Sequence, residues 1–218
     1  MMKMMTFLRI SLLLVIAVVF CSGFALIGKG YQVYKEAESQ VGLSEKVQEI
    51  RSKDTFTSIE DLPETYVNAV VAVEDKRFFR HPGIDFLAVG RALLHDIQAG
   101  RYVEGGSTIT QQLAKNLWFS PEKSILRKVK EAIMACRLEL ALDKERILEL
   151  YLNVAEWGSG IYGAEAAARH YFGKSAAALT TYEAASMAAV LPAPLKRTPS
   201  SPLVRKLAAR LVKRMPLY

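Results

Sequence analysis

Three patterns of apolar and polar positions succeed one another along the 218-residue chain. The first is a solid apolar block, Ile10 to Ile27, with no charge in 18 residues. Such a run is about the minimum that spans a ~30 Å hydrocarbon core, and it is longer than the usual apolar part of a cleaved leader, so it predicts a retained membrane anchor. The competing reading is a cleavable signal, with Lys3 and Arg9 as its charged start and Gly23-Phe24-Ala25 as a poor cleavage site. Lys3, Arg9 and the amino terminus on one side, against Lys29 and Lys35 on the other, leave the positive-inside comparison nearly tied.

The second pattern, Gly28 to about Ser58, mixes charges with small polar residues and reads as a juxtamembrane helix followed by a linker. Beyond it the periodicity is helical. Asp61-Leu62-Pro63-Glu64 has the spacing of a capping box that opens a helix through Val67, Val70 and Val71. Asp85 to Ile97 is amphipathic, with Phe86, Leu87, Val89, Leu93, Leu94 and Ile97 interrupted by Arg91, His95 and Asp96; such a helix lies on a core or on lipid. Further helices are expected after Ser107, from about Ser124 to Leu142, from Lys144 to about Val154 with Asp143 as cap, at 163–171 and at 181–190. The basic tail from Pro199 to Tyr218 carries Arg205, Lys206, Arg210, Lys213 and Arg214 and predicts a terminal helix. Only Thr55 to Ile59 has the alternation of a strand.

Composition adds limits. The length allows one membrane segment and one ordinary domain. Cys21 sits in the apolar block and Cys136 in a later helix, so no disulfide framework is expected. A net charge of +7 suits an anionic lipid surface or a diphosphate substrate. It would equally suit nucleic acid, but zinc-ligand spacing, RNA-binding aromatic motifs and basic repeats are all missing from the sequence, and nucleic acid is not an expected partner. No run of His, Cys and carboxylates has metal-ligand spacing.

The richest stretch chemically is Glu104 to Asn116, Glu-Gly-Gly-Ser-Thr-Ile-Thr-Gln-Gln-Leu-Ala-Lys-Asn. Gly105 and Gly106 permit positive φ and close approach, and Thr108 with Gln111 has reciprocal cap spacing. Free N–H groups at such a helix start would favour an anion. On the following helix Gln111 and Lys115 share one face, and Gln112 and Asn116 the next. Two glutamates stand out elsewhere. Glu74 ends the Val67–Val70–Val71 stripe where an apolar residue would fit, so partial desolvation should raise its pKa and make it a better base. On a helical wheel Glu131 shares a face with Arg127, Met134, Leu138 and Leu142, opposite Val129, Ile133, Cys136 and Leu140, which predicts a helix buried on both sides. Alternatively Glu74 is a solvated helix end beside Asp75, and Glu131 an ordinary i,i+4 partner of Arg127. Lys115, Lys123 and Arg127 cluster in sequence, where they could neutralise a leaving diphosphate or form a plain solvated face. Ser120-Pro121-Glu122-Lys123 matches an acyl-enzyme Ser-x-x-Lys, but no Lys-Thr-Gly or Ser-Asp-Asn follows it.

Five segments, in order, resemble the motif set of the peptidoglycan glycosyltransferases: Glu74 to Asp85, Gly105 to Asn116, Arg127 to Glu131, Lys144 to Asn153, and Arg169 to Lys174. The short chain resembles the monofunctional members of that family. The resemblance implies a mainly α, lysozyme-like bilobal domain behind one N-terminal transmembrane helix. The corresponding division is 1–30 for the cytoplasmic start and anchor, 31–58 for the linker and 59–218 for the glycosyltransferase domain. It further implies polymerisation of lipid II into β-1,4-linked glycan on the outer, periplasmic side of the bacterial cytoplasmic membrane. Glu74 would be the general base and Glu131 the second catalytic glutamate. Asp75, Ser107, Thr108, Gln111, Gln112, Lys115 and Asn116 would bind substrate together with Lys123, Arg127 and Lys128, and His81, Gly83, Asp85, Glu149 and Asn153 would support the cleft. The expected partners are lipid II, the growing glycan chain, membrane lipid and other cell-wall synthesis or division proteins. No resident cofactor is expected, with room for a divalent cation such as Mg2+ on the substrate diphosphate. A lysozyme-like glycan-cleaving enzyme and a non-catalytic membrane-anchored adaptor are the competing readings.

Overall fold

The computed structural model describes residues 42–101, 105–119 and 124–214, with scattered positions between 23 and 35. The expected anchor falls almost wholly outside the described residues, as do Lys123 and the rest of the Ser120–Lys123 motif. Among the described residues no helix is long and apolar enough to cross a membrane.

The chain is mainly helical. In order come α1 (Leu43–Arg51), α2 (Glu64–Glu74), α3 (Phe86–Ala99), α4 (Ile109–Trp118), α5 (Ile125–Ala141) and α6 (Lys144–Val154). A small hairpin of β1 (Glu156–Gly158) and β2 (Ile161–Tyr162) follows, then α7 (Ala164–Phe172), α8 (Thr181–Val190) and α9 (Pro202–Arg214). Helix starts follow the side-chain chemistry. Ser124 accepts from the Arg127 amide, Asp143 from the Arg146 amide, and Thr180 with Glu183 closes a full capping box on α8.

Two helices organise the interior. In α8 every residue from Ala184 to Val190 is buried. A helix apolar all round needs cover on several sides, and its small side chains let α2 and α9 pack closely against it. In α6 every residue from Ile147 to Asn153 is buried, with α4 as a principal neighbour, and α4 also packs on α5. Trp157, Tyr66, Tyr151 and Phe78 are the largest fully enclosed side chains, and the Tyr66 and Trp157 rings lie 5.9 Å apart.

Several expectations are corrected. Residues 31–58 include α1, whose Ile50 belongs to the core, so this stretch is more than a linker. The capping box at Asp61 does not form: Asp61 ends a 3-10 turn, and α2 begins after Pro63 with no side-chain cap. The expected strand at 55–59 pairs with a side chain instead, since Asn153 exchanges hydrogen bonds of 2.9 Å with both the N–H and the C=O of Thr57. The strands that do form have three and two residues, too short to show alternation. Helix α5 is buried on its Glu131–Met134–Ala135–Leu138 face only, and Leu140 on the other side is 88 % exposed. Along α3 the burial is narrower still: Ala92 is enclosed while Phe86, Leu87, Leu93, Leu94 and Ile97 stay open.

Candidate active site

The glycine-rich segment 105–108 works through proximity. Gly106 does not take a positive φ, contrary to expectation. Gly106 is required because a Cβ there would come within 2.9 Å of the Val89 Cα, so the segment lies hard against α3. At Gly83, whose φ is +88°, a Cβ would come within 3.1 Å of the Ala135 backbone, so the glycine seats the 81–85 loop on α5.

The start of α4 is occupied. Thr108 and Gln111 form the expected reciprocal cap, and the Thr108 hydroxyl also donates to the Gly83 carbonyl at 2.6 Å. The Ile109 amide donates to Asp75 Oδ2 at 3.1 Å. The helix end does attract an anion, but that anion is the protein's own Asp75. At Ile109 and Gln111 the amides expected to stand free for substrate are thus taken by Asp75 and Thr108. Asp75, Thr108 and Gln111, expected on substrate, are buried and bonded within the protein. Asp75 further holds His81 Nε2 at 3.0 and 3.1 Å.

His81, Asp75 and Asp85 therefore converge, with one candidate ligand atom from each within 4.8 Å of the others, although sequence spacing gave no metal cluster. Protein donors close this cluster. Asp85 accepts from the Leu87 and Ala88 amides and pairs with Arg77 at 3.0 Å. Burial alone would push the Asp85 carboxyl up; the amides and the Arg77 guanidinium outweigh it and hold the pKa below the usual value. A charged guanidinium on one carboxylate and backbone N–H groups on both argue against a cation there.

Glu74 is the last residue of α2. Its Oε2 accepts from Gln112 Nε2 at 2.7 Å, while Oε1 is enclosed and receives no donor among the described residues. Gln112 is itself oriented, because the Tyr151 hydroxyl donates to its Oε1 at 3.1 Å and so turns the amide nitrogen toward Glu74. Desolvation raises the Glu74 pKa, the Gln112 hydrogen bond and the Lys115 charge oppose it, nearby Asp75 adds to it, and Arg197 opposes it more weakly. The net direction is upward, which suits a base. Burial likewise keeps the Tyr151 phenol neutral by raising its pKa, with Glu74 adding to the effect.

Glu131, 1 % exposed, sits between two cations of its own helix. It pairs with Arg127, and its Oε2 lies 2.9 Å from Lys128 Nζ, which also donates to Ser107 Oγ at 2.9 Å. Burial lowers the Lys128 pKa, with Arg127 and then Lys115 adding to it. Lys115 is coupled to Glu74 and to Arg127, the partner of Glu131. Burial lowers its pKa first and Arg127 second, while Glu156 and Glu74 pull the other way. Glu74, Lys115, Arg127, Lys128 and Glu131 thus form one electrostatic group rather than two separate surfaces. Asn116 is exposed and makes no part of it.

Glu149 and Asn153 lie on α6 and act elsewhere. Glu149 pairs with Arg146 and accepts from Ser58 and Ile59, and Asn153 holds Thr57, so both fasten the 57–59 segment. Lys144 supports the other side: its Nζ donates to the His81 carbonyl and to Glu139 Oε1, each at 2.7 Å, 4.4 Å from the Phe78 ring centroid. Glu156 and Arg197 are members of the charge group that sequence reasoning missed. Glu156 is 41 positions from Lys115 and Arg197 lies in a proline-rich loop, so no local spacing marks either.

A largely desolvated carboxylate of raised pKa set in a cationic group, on a mainly helical domain, has the makings of a general base beside an anion-binding site. The transglycosylase family model matches residues 43–215, and the chain belongs to that family. It is 56 % identical over 126 residues to the biosynthetic peptidoglycan transglycosylase of Thiobacillus denitrificans, covering 58 % of this chain and 54 % of the relative. It is 44 % identical over 176 residues to the protein of that name from Dechloromonas aromatica, covering 80 % of this chain and 76 % of the relative. Against penicillin-binding protein 1A of Aquifex aeolicus it is 51 % identical over 147 residues, 67 % of this chain but 20 % of that protein. The chain thus spans about half the length of the Thiobacillus relative and a fifth of the Aquifex one.

Proposed function

We propose that this chain polymerises lipid II into β-1,4-linked glycan strands, using a lysozyme-like bilobal domain held at the outer, periplasmic face of a bacterial cytoplasmic membrane by one N-terminal helix. Two supports for the membrane placement are the apolar block Ile10–Ile27 and the exposed apolar face of α3. Substrate capture then becomes a search in a plane, with the lipid tail left in the bilayer.

The carrying observation is the Glu74 carboxylate, largely stripped of water and linked through Lys115 to the Arg127–Glu131–Lys128 group. In the proposed step Glu74 takes the proton of the acceptor 4-hydroxyl as that oxygen attacks the anomeric carbon of the donor. The carbon–oxygen bond to the lipid diphosphate breaks with inversion, and the diphosphate leaves with its electron pair. Lys115, Arg127 and Lys128, with Lys123 close to them in sequence, meet the developing charge. Glu131 holds Arg127 and Lys128 in place for that task. A divalent cation on the diphosphate would add to the same neutralisation. The partners in this reading are lipid II, the growing glycan, membrane lipid and other wall-synthesis proteins.

Purified chain supplied with lipid II should yield polymer, and supplied with finished cell wall should release no soluble fragments. Release of fragments without polymer would make it a glycan-cleaving enzyme. Glu74→Gln should abolish polymer, a loss of at least about 100-fold, while the fold and membrane association survive. Persistence of the cellular role in that variant would favour an adaptor. Because Glu74 works deprotonated and its pKa is raised, kcat/KM should fall as pH drops, on a limb centred above the ordinary carboxylate range. The same shift has a stability signature. A group protonated more readily in the folded state favours folding at low pH and opposes it once pH exceeds the folded pKa. The stability advantage of Glu74→Gln over the parent should therefore grow as pH rises through that window, measured by denaturant unfolding.

A further inference from the structure

The net charge of +7 is concentrated at one end of the chain. No Asp or Glu occurs after Glu183, and the seven cations beyond it, Lys196, Arg197, Arg205, Lys206, Arg210, Lys213 and Arg214, equal the entire excess. Residues 1–183 are formally neutral as a whole. Five of the seven lie on α9. Its apolar side is largely committed, with Val204 buried against Ala189 and Val190 of α8, Leu207 and Leu211 packed beside them, and Ala208 enclosed. Arg205, Lys206, Arg210, Lys213 and Arg214 are exposed, and no carboxylate pairs with them among the described residues. At 100° per residue Lys206, Arg210 and Lys213 fall within one 60° sector, nearly opposite Val204 and Leu211.

We propose that the cationic ridge of α9 docks on the anionic phospholipid headgroups of the bilayer. The inference rests on the membrane placement proposed above. The physics selects a surface contact over insertion: Leu203, 51 % exposed, is the one large apolar side chain of the helix left open, so attraction comes mainly from headgroup charge, about 1 kcal/mol per cation near an anionic leaflet. This attraction is short-ranged and screened by salt, with a Debye length of ~8 Å at physiological ionic strength. It also requires cations free of internal partners, which the ridge supplies. A bilayer is favoured over a soluble acidic partner because the exposed apolar face of α3 independently calls for lipid on the same molecule.

The test uses the full chain with Cys21→Ser, Cys136→Ser and Ala209→Cys, the last carrying a fluorophore on the exposed side of α9, reconstituted into lipid nanodiscs. Quenching by acrylamide, a neutral probe, should be about threefold weaker in discs containing phosphatidylglycerol than in phosphatidylcholine discs. High salt should restore it, as should Lys206→Gln with Arg210→Gln and Lys213→Gln. The charge-preserving Arg205→Lys with Arg210→Lys should keep the protection. Equal quenching in the two lipids overturns the proposal. So does equal protection by soluble polyphosphate over phosphatidylcholine discs, which would identify a polyanion rather than a bilayer as the occupant. Lipid II polymerisation in detergent, measured on the same preparations, should be unaffected by the glutamine variant. Loss of polymer in the parent chain would count against the enzymatic reading and leave the docking result standing by itself.

Discussion

Helices α3 and α9 are both amphipathic, yet they turn opposite faces to the world. On α3 the apolar side is open, with Phe86 76 % exposed and Leu87, Leu93, Leu94 and Ile97 all above half. On α9 the apolar side is closed against α8 and the cations face out. The difference lies in the neighbours. Helix α8 is apolar all round and takes cover from α9, whereas α3 touches the body along a narrow line marked by Ala92 and the Gly106–Val89 approach. A hydrophobic stripe states which side chains share a face, and the partner supplied by the rest of the chain decides whether that face meets protein or lipid.

Four variants would break or sharpen this contrast. Val204→Asp should destabilise most, by about 4 kcal/mol, because it leaves a charge buried without a partner. Denaturant unfolding of Leu93→Asp should show a change within about 0.5 kcal/mol, since that site is already exposed. Equal costs at the two sites would mean that α3 is packed after all. Gly106→Ala should cost about 1–2 kcal/mol by pushing the segment off Val89. Hydrogen exchange should then rise in 86–99 and not in 202–214. The smallest stability effect belongs to Leu93→Gln with Leu94→Gln. This pair should leave the unfolding midpoint nearly unchanged and lower the polymerisation rate in vesicles severalfold, with little change in detergent.

Much of the helical frame was legible because it depends on local chemistry. Ser124, Asp143, Thr108 and Asp85 each accept amide hydrogens at the helix starts that periodicity marks. The failures share a cause. Asp61 had the spacing of a cap, but its segment closes a 3-10 turn. Thr57 had the look of a strand, but Asn153, 96 positions away, takes its backbone groups. In the site, the desolvation of Glu74 followed from its place in an apolar stripe. Its Gln112 partner, the enclosed Oε1 and the influence of Arg197 needed elements distant in sequence. The anion at the start of α4 proved to be Asp75, which no local pattern near 108 could name.

The order of residues alone determined the caps at Thr108, Ser124 and Asp143, the stripe that ends in Glu74, the pairing of Arg127 with Glu131 four places on, and the crowding of net positive charge into the last thirty-five residues. These need only neighbours within a turn or two. Tertiary structure decided which face of α5 is buried, that the Ile109 amide at the start of α4 serves Asp75, and that Lys115 feels both Glu74 and Arg127, the partner of Glu131. Burial and long-range Coulomb interaction depend on what lies within a few ångströms in space, and sequence separation does not limit that distance.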